Sequence, residues 1–286
     1  MNYCNLGANT NEISLSLLVF EIAFINNNNN NNNNTGTFMS KEQIFSSSEI
    51  LLSTTDLNSH IKYANKNFCA IAGYSLDELL GNPHNQVRHP DMPKAAFENL
   101  WSTIQQGEPW MGPVKNCCKN GDHYWVNAFV TPIKDKAGNV FEYQSVRTVL
   151  DQDIKDRANV VYPQIIQGKT PRAAKNKSDK TLWVQLILFA LVLLSLANLF
   201  IGDSKLLLSV PLTGLALGGA ALFYFWRHQY LVVLKEANDI FDNPLMSYLY
   251  SGNNDKVGGV LLALRMRTAE IRAIVGRVSN DSTTIN

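Results

Sequence analysis

The stretch WMGPVKNCCKNGDHYWVNAFVTPIKDKAGNVFEYQSVRTV, residues 110–149, decides the fold of the first half of the chain. It holds three runs rich in β-branched and aromatic residues, which predict three strands: 110–119, 122–134 and 140–149. Asn120-Gly121 and Ala137-Gly138-Asn139 separate the runs, and such residues accept the backbone angles of hairpin turns. The stretch therefore predicts an antiparallel three-stranded meander.

Upstream of the meander the pattern is mixed. Residues 50–55 and 61–64 predict two further strands, and 65–72 and 75–80 predict short helices that begin after capping-type residues. A longer helix is expected over 94–106, because its apolar residues recur on one face. Five strands with helices between the second and third predict an α+β domain.

Several motifs in this domain resemble the PAS domain of bacterial aerotaxis receptors. They are Ser53-Thr54-Thr55-Asp56-Leu57, Ala72-Gly73-Tyr74-Ser75, Gly81-Asn82-Pro83-His84-Asn85, Arg88-His89-Pro90-Asp91-Met92-Pro93 and Lys119-Asn120-Gly121-Asp122-His123-Tyr124-Trp125-Val126. The Arg-His-Pro-Asp-Met-Pro run is the most specific. The resemblance covers about a hundred residues and implies a five-stranded antiparallel sheet with short helices, a flavin cofactor, FAD, and a role in redox or oxygen sensing.

Two uncharged stretches follow, 182–201 and 206–226. Each is about 20 residues long, which suits a helix across a hydrocarbon core of roughly 30 Å. The four-residue link Gly202-Asp203-Ser204-Lys205 predicts a hairpin, so both outer ends lie on one side. Basic residues flank those ends and outnumber Lys205 in the link: Lys169, Arg172, Lys175, Lys177, Lys180, Arg227 and Lys235. We expect a multi-pass protein of the bacterial inner membrane with both termini in the cytoplasm; a hairpin buried in a soluble core is the alternative.

The remaining segments complete the domain plan. Residues 1–38 include the asparagine tract Asn26 to Asn34 and are expected to be a disordered or mis-assigned extension, with Met39 as the true start. The PAS domain is expected over 39–155, a basic linker over 156–181 and the membrane hairpin over 182–226. Residues 227–286 are amphipathic, and Asp255-Lys256-Val257-Gly258 resembles the element that opens the second helix of a HAMP relay. An ordinary helical stalk is the alternative, and the chain is expected to stop before a chemoreceptor signalling domain.

Composition and motifs exclude several function classes. The net charge of +1 gives no field for nucleic acid. The four cysteines, Cys4, Cys69, Cys117 and Cys118, fit neither a disulfide framework nor a CxxC metal site. Nucleophile elbows, phosphate loops and HExxH motifs do not occur, so the sequence predicts a protein that is not an enzyme.

The candidate site is the helical middle of the PAS domain. A flavin needs a flat apolar slot, hydrogen-bond partners for the ring edge and positive charge for its pyrophosphate. Resemblance to the aerotaxis receptors implies that Arg88, His89, Asp91 and Trp101 contact FAD. Asn65 and Asn116 are amides that could address the flavin edge. Each residue also has a structural alternative, such as core packing for Trp101 or an Arg88–Asp91 ion pair.

Other readings of the domain stay open. A haem sensor would use His84 or His89 as axial ligand, and Cys117 with Cys118 could sense redox state directly. A cofactor-free PAS interaction or dimerisation module is the third alternative. Expected partners are the lipid bilayer and a second copy in a homodimer. A chemotaxis kinase and adaptor would engage only if a signalling domain is supplied.

Overall fold

The computed structural model describes residues 40–171, 179–201, 206–253 and 255–284. Three predictions therefore fall outside the described residues in whole or in part. These are the extension with its asparagine tract, the 202–205 link and the 172–178 part of the basic linker.

The sheet has five antiparallel strands in the order β2-β1-β5-β4-β3. Their bounds are β1 Leu51–Thr55, β2 Ile61–Ala64, β3 Trp110–Cys117, β4 His123–Lys134 and β5 Val140–Val149. The meander predicted over 110–149 forms β3 to β5, and β1 then pairs with β5. The α+β class with a five-stranded antiparallel sheet is confirmed.

Short helices cover one face of this sheet, which we call the inner face. They are α1 Lys66–Ala72, α2 Leu76–Leu79 and α3 Lys94–Gln105, with a 3₁₀ turn at His84–Val87. Asn65 caps α1, and Ser75 forms a capping box with Glu78 at α2. The ring of Phe68 in α1 lies 4.9 Å from the Arg147 guanidinium of β5, which places α1 against the inner face.

Helices from later in the chain cover the opposite, outer face. They are α4 Gln152–Ile166, α7 Pro244–Ser251 and α8 Val257–Thr284. Tyr162 of α4 donates from its hydroxyl to the Pro113 carbonyl at 2.7 Å and stacks on Trp125. Tyr250 of α7 donates to Asn127 of β4. The sheet is thus the middle layer of three, and both of its faces are buried.

Helix α4 extends through a region where the sequence predicted the start of a linker at 156. Its buried residues are Ile154, Ala158, Val161 and Tyr162. They recur at helical spacing and face the sheet, because burying that stripe removes apolar surface from water. The packed unit therefore continues to about the end of α4 at Ile166.

Two helices are long and apolar enough to cross a membrane. They are α5 Lys180–Ile201 and α6 Leu206–Ile240, with candidate spans Lys180–Phe200 and Leu208–Ile240. Few of their residues are buried, 6% and 11% of the most apolar stretches, unlike the core helices of a soluble protein. Helix α6 continues without a break beyond Trp226, where the sequence predicted that the hairpin ends and the amphipathic segment begins.

A hydroxyl cluster joins the two helices. Ser195 and Thr213 hydroxyls lie 2.7 Å apart, and Thr213 also donates to the Ser209 carbonyl at 2.8 Å. Such bonds hold apolar helices together where water cannot compete. Gly214 and Gly218, which could permit close packing, face open space instead of α5.

Candidate functional site

The inner face of the sheet carries an unusual number of buried polar side chains. Directly paired residues of an antiparallel ladder share a face, as do residues two apart along a strand. The pairs Ser53–Ser145, Ala128–Arg147 and Asn116–Tyr124 therefore place one polar set on the inner face. Its members are Ser53, Asn116, Tyr124, Ser145 and Arg147, all of them buried. Burying so many polar groups is costly unless each finds a partner.

Arg147 is the most demanding member of this set. Its guanidinium donates from Nη1 to Ser53 Oγ at 3.0 Å and from Nη2 to His84 Nε2 at 2.6 Å. Burial lowers the pKa of Arg147 to about 10, which still leaves it charged at neutral pH. Among the described residues no carboxylate forms a salt bridge with it, so the buried cation has only neutral partners.

His84 is the neutral partner. Burial of its ring, and then the Arg147 charge, lower the pKa of His84 to about 3. The Nε2 atom accepts from Arg147, so in the neutral ring the proton sits on Nδ1. His84 therefore orients the guanidinium without neutralising it.

Three atoms of the inner face have no hydrogen-bond partner in the described part of the chain. They are Asn116 Nδ2, Tyr124 Oη and Ser145 Oγ. Burial also raises the pKa of the Tyr124 phenol, which stays protonated. An unpaired buried donor costs free energy. These three unpaired atoms, together with a cation that has no acidic partner among the described residues, are the features expected of a site that receives a polar ligand.

The segment with Arg88 borders this face at the edge strand. Arg88 and Asn116 form an isolated bridge between the segment and β3, so the structure brings these two predicted residues together. Arg88 Nη2 donates to the Met92 carbonyl at 3.2 Å, and its guanidinium lies 4.3 Å from the centre of the Phe97 ring. Burial lowers the pKa of Arg88.

His89 and Asp91 lie beside Arg88 on the same edge. The Asp91 carboxylate is exposed and pairs with Lys115 at 2.6 Å, while its backbone N–H donates to His89 Nδ1 at 3.1 Å. Burial, and then the Lys115 charge, lower the pKa of His89 to about 4 despite Asp91. His89 is therefore neutral, and Lys115 is a further cation at this edge that the sequence did not indicate.

Trp101 and Asn65 occupy different places. Trp101 in α3 meets the Tyr143 ring of β5 edge-on, with centres 5.7 Å apart, so it lies against the inner face. Asn65 accepts from Leu52 N and Phe68 N and donates to the Ile50 carbonyl, which ties α1 to β1. Those bonds give Asn65 a structural role in the fold.

Sequence reasoning missed Arg147, Ser53 and Tyr124. One signal was available, because Arg147 stands in a β run with apolar neighbours and shares strand parity with Ser145 and Tyr143. Two cavities are described, about 230 Å³ between the outer face and α8 and about 550 Å³ beside α1, and neither is lined by any of the six predicted site residues. Within the described ranges no cluster of His, Cys, Asp or Glu could hold a metal ion.

Comparison with known proteins identifies the domain. Residues 61–147 match the family described as PAS fold. This part of the chain is a PAS domain. The PAS region is 48% identical over 122 residues to the aerotaxis receptor of Escherichia coli strain K12, covering 43% of this chain and 24% of that receptor. The resemblance to the PAS domain of aerotaxis receptors is thereby confirmed.

A second relative is the nitrogen fixation regulatory protein of Klebsiella pneumoniae, 30% identical over 100 residues, or 35% of this chain and 20% of that protein. The chain thus matches about a quarter or less of the length of these two relatives. Among solved structures, the light-state blue-light photoreceptor Aureochrome1 LOV aligns with a TM-score of 0.36 at 24% identity, over 40% of this chain and 90% of that one. The named relatives are a receptor and a regulatory protein, which fits a PAS sensor.

Proposed function

We propose that this chain is a membrane-anchored redox sensor that binds FAD in its PAS domain and signals in aerotaxis. The observation that carries the proposal is the Arg147 guanidinium, which is buried on the inner face and has no acidic partner among the described residues. A planar ligand with polar ring edges would satisfy it together with Asn116 and Tyr124. The 48% identity to an aerotaxis receptor favours a flavin over other planar ligands.

The residues present fit a flavin dinucleotide. Arg147 and Asn116 would meet the polar edge of the ring, and Trp101 would pack on its flat face. Arg88 would hold the pyrophosphate, since a guanidinium fork suits phosphate oxygens, with His89 and Asp91 beside it. Asn65 is retained as a second amide near the site. When bound, FAD supplies reversible electron transfer, which changes the charge and hydrogen bonding of its ring.

Signal output would use the helices on the outer face. Strands β4 and β5 carry Arg147 and Tyr124 on the inner face and Asn127 and Gln144 on the outer face. Tyr250 of α7 and Arg277 of α8 bond to those outer residues. The interface between the PAS domain and the HAMP-like segment would have two states. A change at the inner face would shift the populations of those two states. We propose no enzymatic activity.

The proposed domain order follows the sequence interpretation. It comprises an extension over 1–38, the PAS sensor from 39, which α4 carries past the expected end at 155 to Ile166, the rest of the basic linker up to 181, the hairpin over 182–226 and a HAMP-like relay over 227–286. Helices α5 and α6 would anchor the chain in the bacterial inner membrane with both termini cytoplasmic. Partners would be the bilayer, a second copy in a homodimer and, where a signalling domain is present, the chemotaxis kinase and adaptor. No nucleic acid is involved.

Haem is less well supported than a flavin. The Nε2 atom of His84 accepts from Arg147, so its lone pair is engaged. In His89 the Nδ1 atom accepts from the Asp91 backbone. Direct thiol sensing is also disfavoured, because burial raises the pKa of Cys118 to about 11 and also raises the pKa of Cys117. The thiolate is the reactive form.

An absorption spectrum of the detergent-extracted full chain tests the proposal. We expect a flavin band near about 450 nm, lost in Arg88→Ala and Trp101→Ala and kept in Lys62→Ala, whose exposed ammonium pairs with Glu142 on the far side of the sheet. A colourless wild-type protein would refute flavin binding, and a Soret band would show that the cofactor is haem instead. Resistance of the chain to alkaline carbonate extraction tests the membrane anchor separately.

A further inference from the structure

One asparagine links the helices of the inner and outer layers. Asn99 of α3 accepts two hydrogen bonds at its Oδ1 atom. One comes from the indole Nε1 of Trp110, the first residue of β3, at 2.9 Å. The other comes from Nδ2 of Asn243, also at 2.9 Å. Asn243 is 144 residues away and directly precedes α7.

Asn243 uses both ends of its side chain. Its Oδ1 accepts from Met246 N at 3.0 Å and so caps α7, while its Nδ2 is the donor to Asn99. Helix α7 is only eight residues long, so its first turn depends strongly on that cap. Met246, Leu249 and Tyr250 of this helix are buried. A displacement of Asn99 therefore acts on the start of a helix that packs on the outer face.

Helix α3 also contacts the candidate flavin site. Phe97 lies under the Arg88 guanidinium, and Trp101 lies against Tyr143. Asn99 stands between these two residues in the sequence. Helix α3 would therefore contact the ligand site through Phe97 and Trp101, and it contacts the start of α7 through Asn99.

We propose that the Asn99–Asn243 bond couples the state of the PAS site to helix α7, with Asn99 as the positioning residue. This rests on the proposed function and adds to it the specific contact through which the signal leaves the domain. In one redox state Asn99 holds the amide of Asn243 and α7 keeps its first turn. In the other state α3 shifts, the amide loses its acceptor and the start of α7 frays.

Two isosteric substitutions distinguish the effect of losing the hydrogen bond from the effect of adding a negative charge. Asn243→Asp keeps the oxygen that caps α7 but loses the donor, and places a carboxylate against Asn99 Oδ1. Asn99→Asp still accepts from Trp110 and Asn243, now as a charged acceptor. Both variants gain one negative charge and keep their size. A bond with Asn243 as donor predicts opposite effects, whereas a general charge effect predicts the same direction.

The experiment measures hydrogen–deuterium exchange of α7 in the full chain, oxidised and reduced by dithionite. In the wild type we expect exchange to differ between the two states. Asn243→Asp should raise exchange in the protected state roughly fivefold, the loss expected for one net hydrogen bond, and abolish the redox difference. Asn99→Asp should lower exchange. Asn58→Asp, at an exposed asparagine in the turn between β1 and β2, adds the same charge away from α7; it is the control and should change neither.

Each result has one meaning. If both aspartate variants shift exchange in the same direction, or if Asn243→Asp keeps the full redox difference, the coupling bond is refuted. The flavin spectrum of every variant is recorded first. A wild type without flavin overturns the proposed function and the coupling with it. A flavin-containing wild type with an unaltered redox difference in Asn243→Asp overturns the coupling alone.

Discussion

Arg147 Nη2 donates to His84 Nε2 across 2.6 Å, joining the central strand β5 to the 3₁₀ turn that precedes Arg88. A charged group is held here by a neutral one. Breaking such a contact inside a protein is costly, because the remaining group cannot turn to water. The pair therefore fixes the position of a cation on the inner face and makes that position testable.

Charge at position 147 should decide flavin retention. Arg147→Gln keeps an amide donor for Ser53 and His84 but removes the cation, so we expect purified protein to lose most of its flavin, on the order of tenfold, for about 1.4 kcal/mol. Arg147→Lys keeps the charge and should retain more flavin than Arg147→Gln. The measurement is the ratio of absorbance near 450 nm to 280 nm. Equal flavin content in both variants would exclude a role for the charge.

His84 should make the PAS domain sensitive to mild acid. Its folded pKa of about 3 lies below the ordinary value of 6.5, so the unfolded chain takes up a proton that the folded domain rejects. Stability is therefore fully present above pH 6.5 and is lost progressively as pH falls toward 3. Between pH 7.5 and pH 5 this amounts to about 2 kcal/mol of unfolding free energy.

The His84→Gln variant isolates that effect. Glutamine cannot take up a proton, so its denaturation midpoint should fall less between pH 7.5 and pH 5 than that of the wild type. Urea denaturation followed by tryptophan fluorescence in detergent measures both. His89 titrates in each protein and cancels from the difference. Parallel pH profiles would mean that His84 is protonated in the folded domain.

Asn116 should lower the stability of the flavin-free domain and strengthen flavin binding. Its Nδ2 atom is buried and has no hydrogen-bond partner in the part of the chain that the structure describes. Replacing Asn116 by leucine therefore removes the cost of an unpaired donor, about 1–3 kcal/mol. We expect Asn116→Leu without flavin to be at least as stable as the wild type and to hold less flavin. Asn116→Asp, which keeps the size but removes the donor, is the matched variant for the ligand contact. A less stable Asn116→Leu with unchanged flavin would identify Asn116 as a structural residue.

Much of the fold follows from local pattern. The meander was predicted from 110–149 because Asn120-Gly121 and the turn around Gly138 punctuate three β runs. Helix α3 followed from its apolar stripe. The docking of α7 and α8 on the outer face did not follow, because nothing local in strand β4 tells which distant helix covers Trp125 and Phe129.

The site was predicted less completely. Arg88, His89 and Asp91 were predicted from a short run that resembles a known family, and Trp101 from the helix that follows that run. Arg147 was missed, since an arginine in a strand ordinarily points outward to water. Only the register of β5 against β1 and β4 shows that it faces inward. Whether a charged residue in a strand is buried therefore becomes clear only when the pairing of the strands is known.

Asp179 should tie the membrane hairpin to the start of α8. Its carboxylate accepts from Arg227 of α6 at 2.9 Å and from Lys256 before α8 at 3.2 Å. Burial opposes the charge, yet the bonds from Thr181, Lys256 and Arg227 lower the pKa of Asp179 to about 2. Asp179→Asn should therefore loosen the first turn of α8, measured as faster exchange of its amides. The exposed Asp239→Asn is the control, and equal exchange in both variants would show that the contact does not hold α8 in place.

The outer-face contact should depend on the Tyr250 hydroxyl. Tyr250 is 2% exposed and donates to the half-buried Asn127, so Tyr250→Phe leaves the Asn127 oxygen with one partner fewer. We expect a loss of about 1 kcal/mol in the unfolding free energy and faster exchange in α7, with flavin content unchanged because Asn127 points away from the inner face. Tyr248→Phe, on the same helix and half-buried, is the control. If Tyr250→Phe released the flavin while Tyr248→Phe did not, the two faces of the sheet would be coupled through β4 itself, because no other described bond joins Tyr250 to that strand.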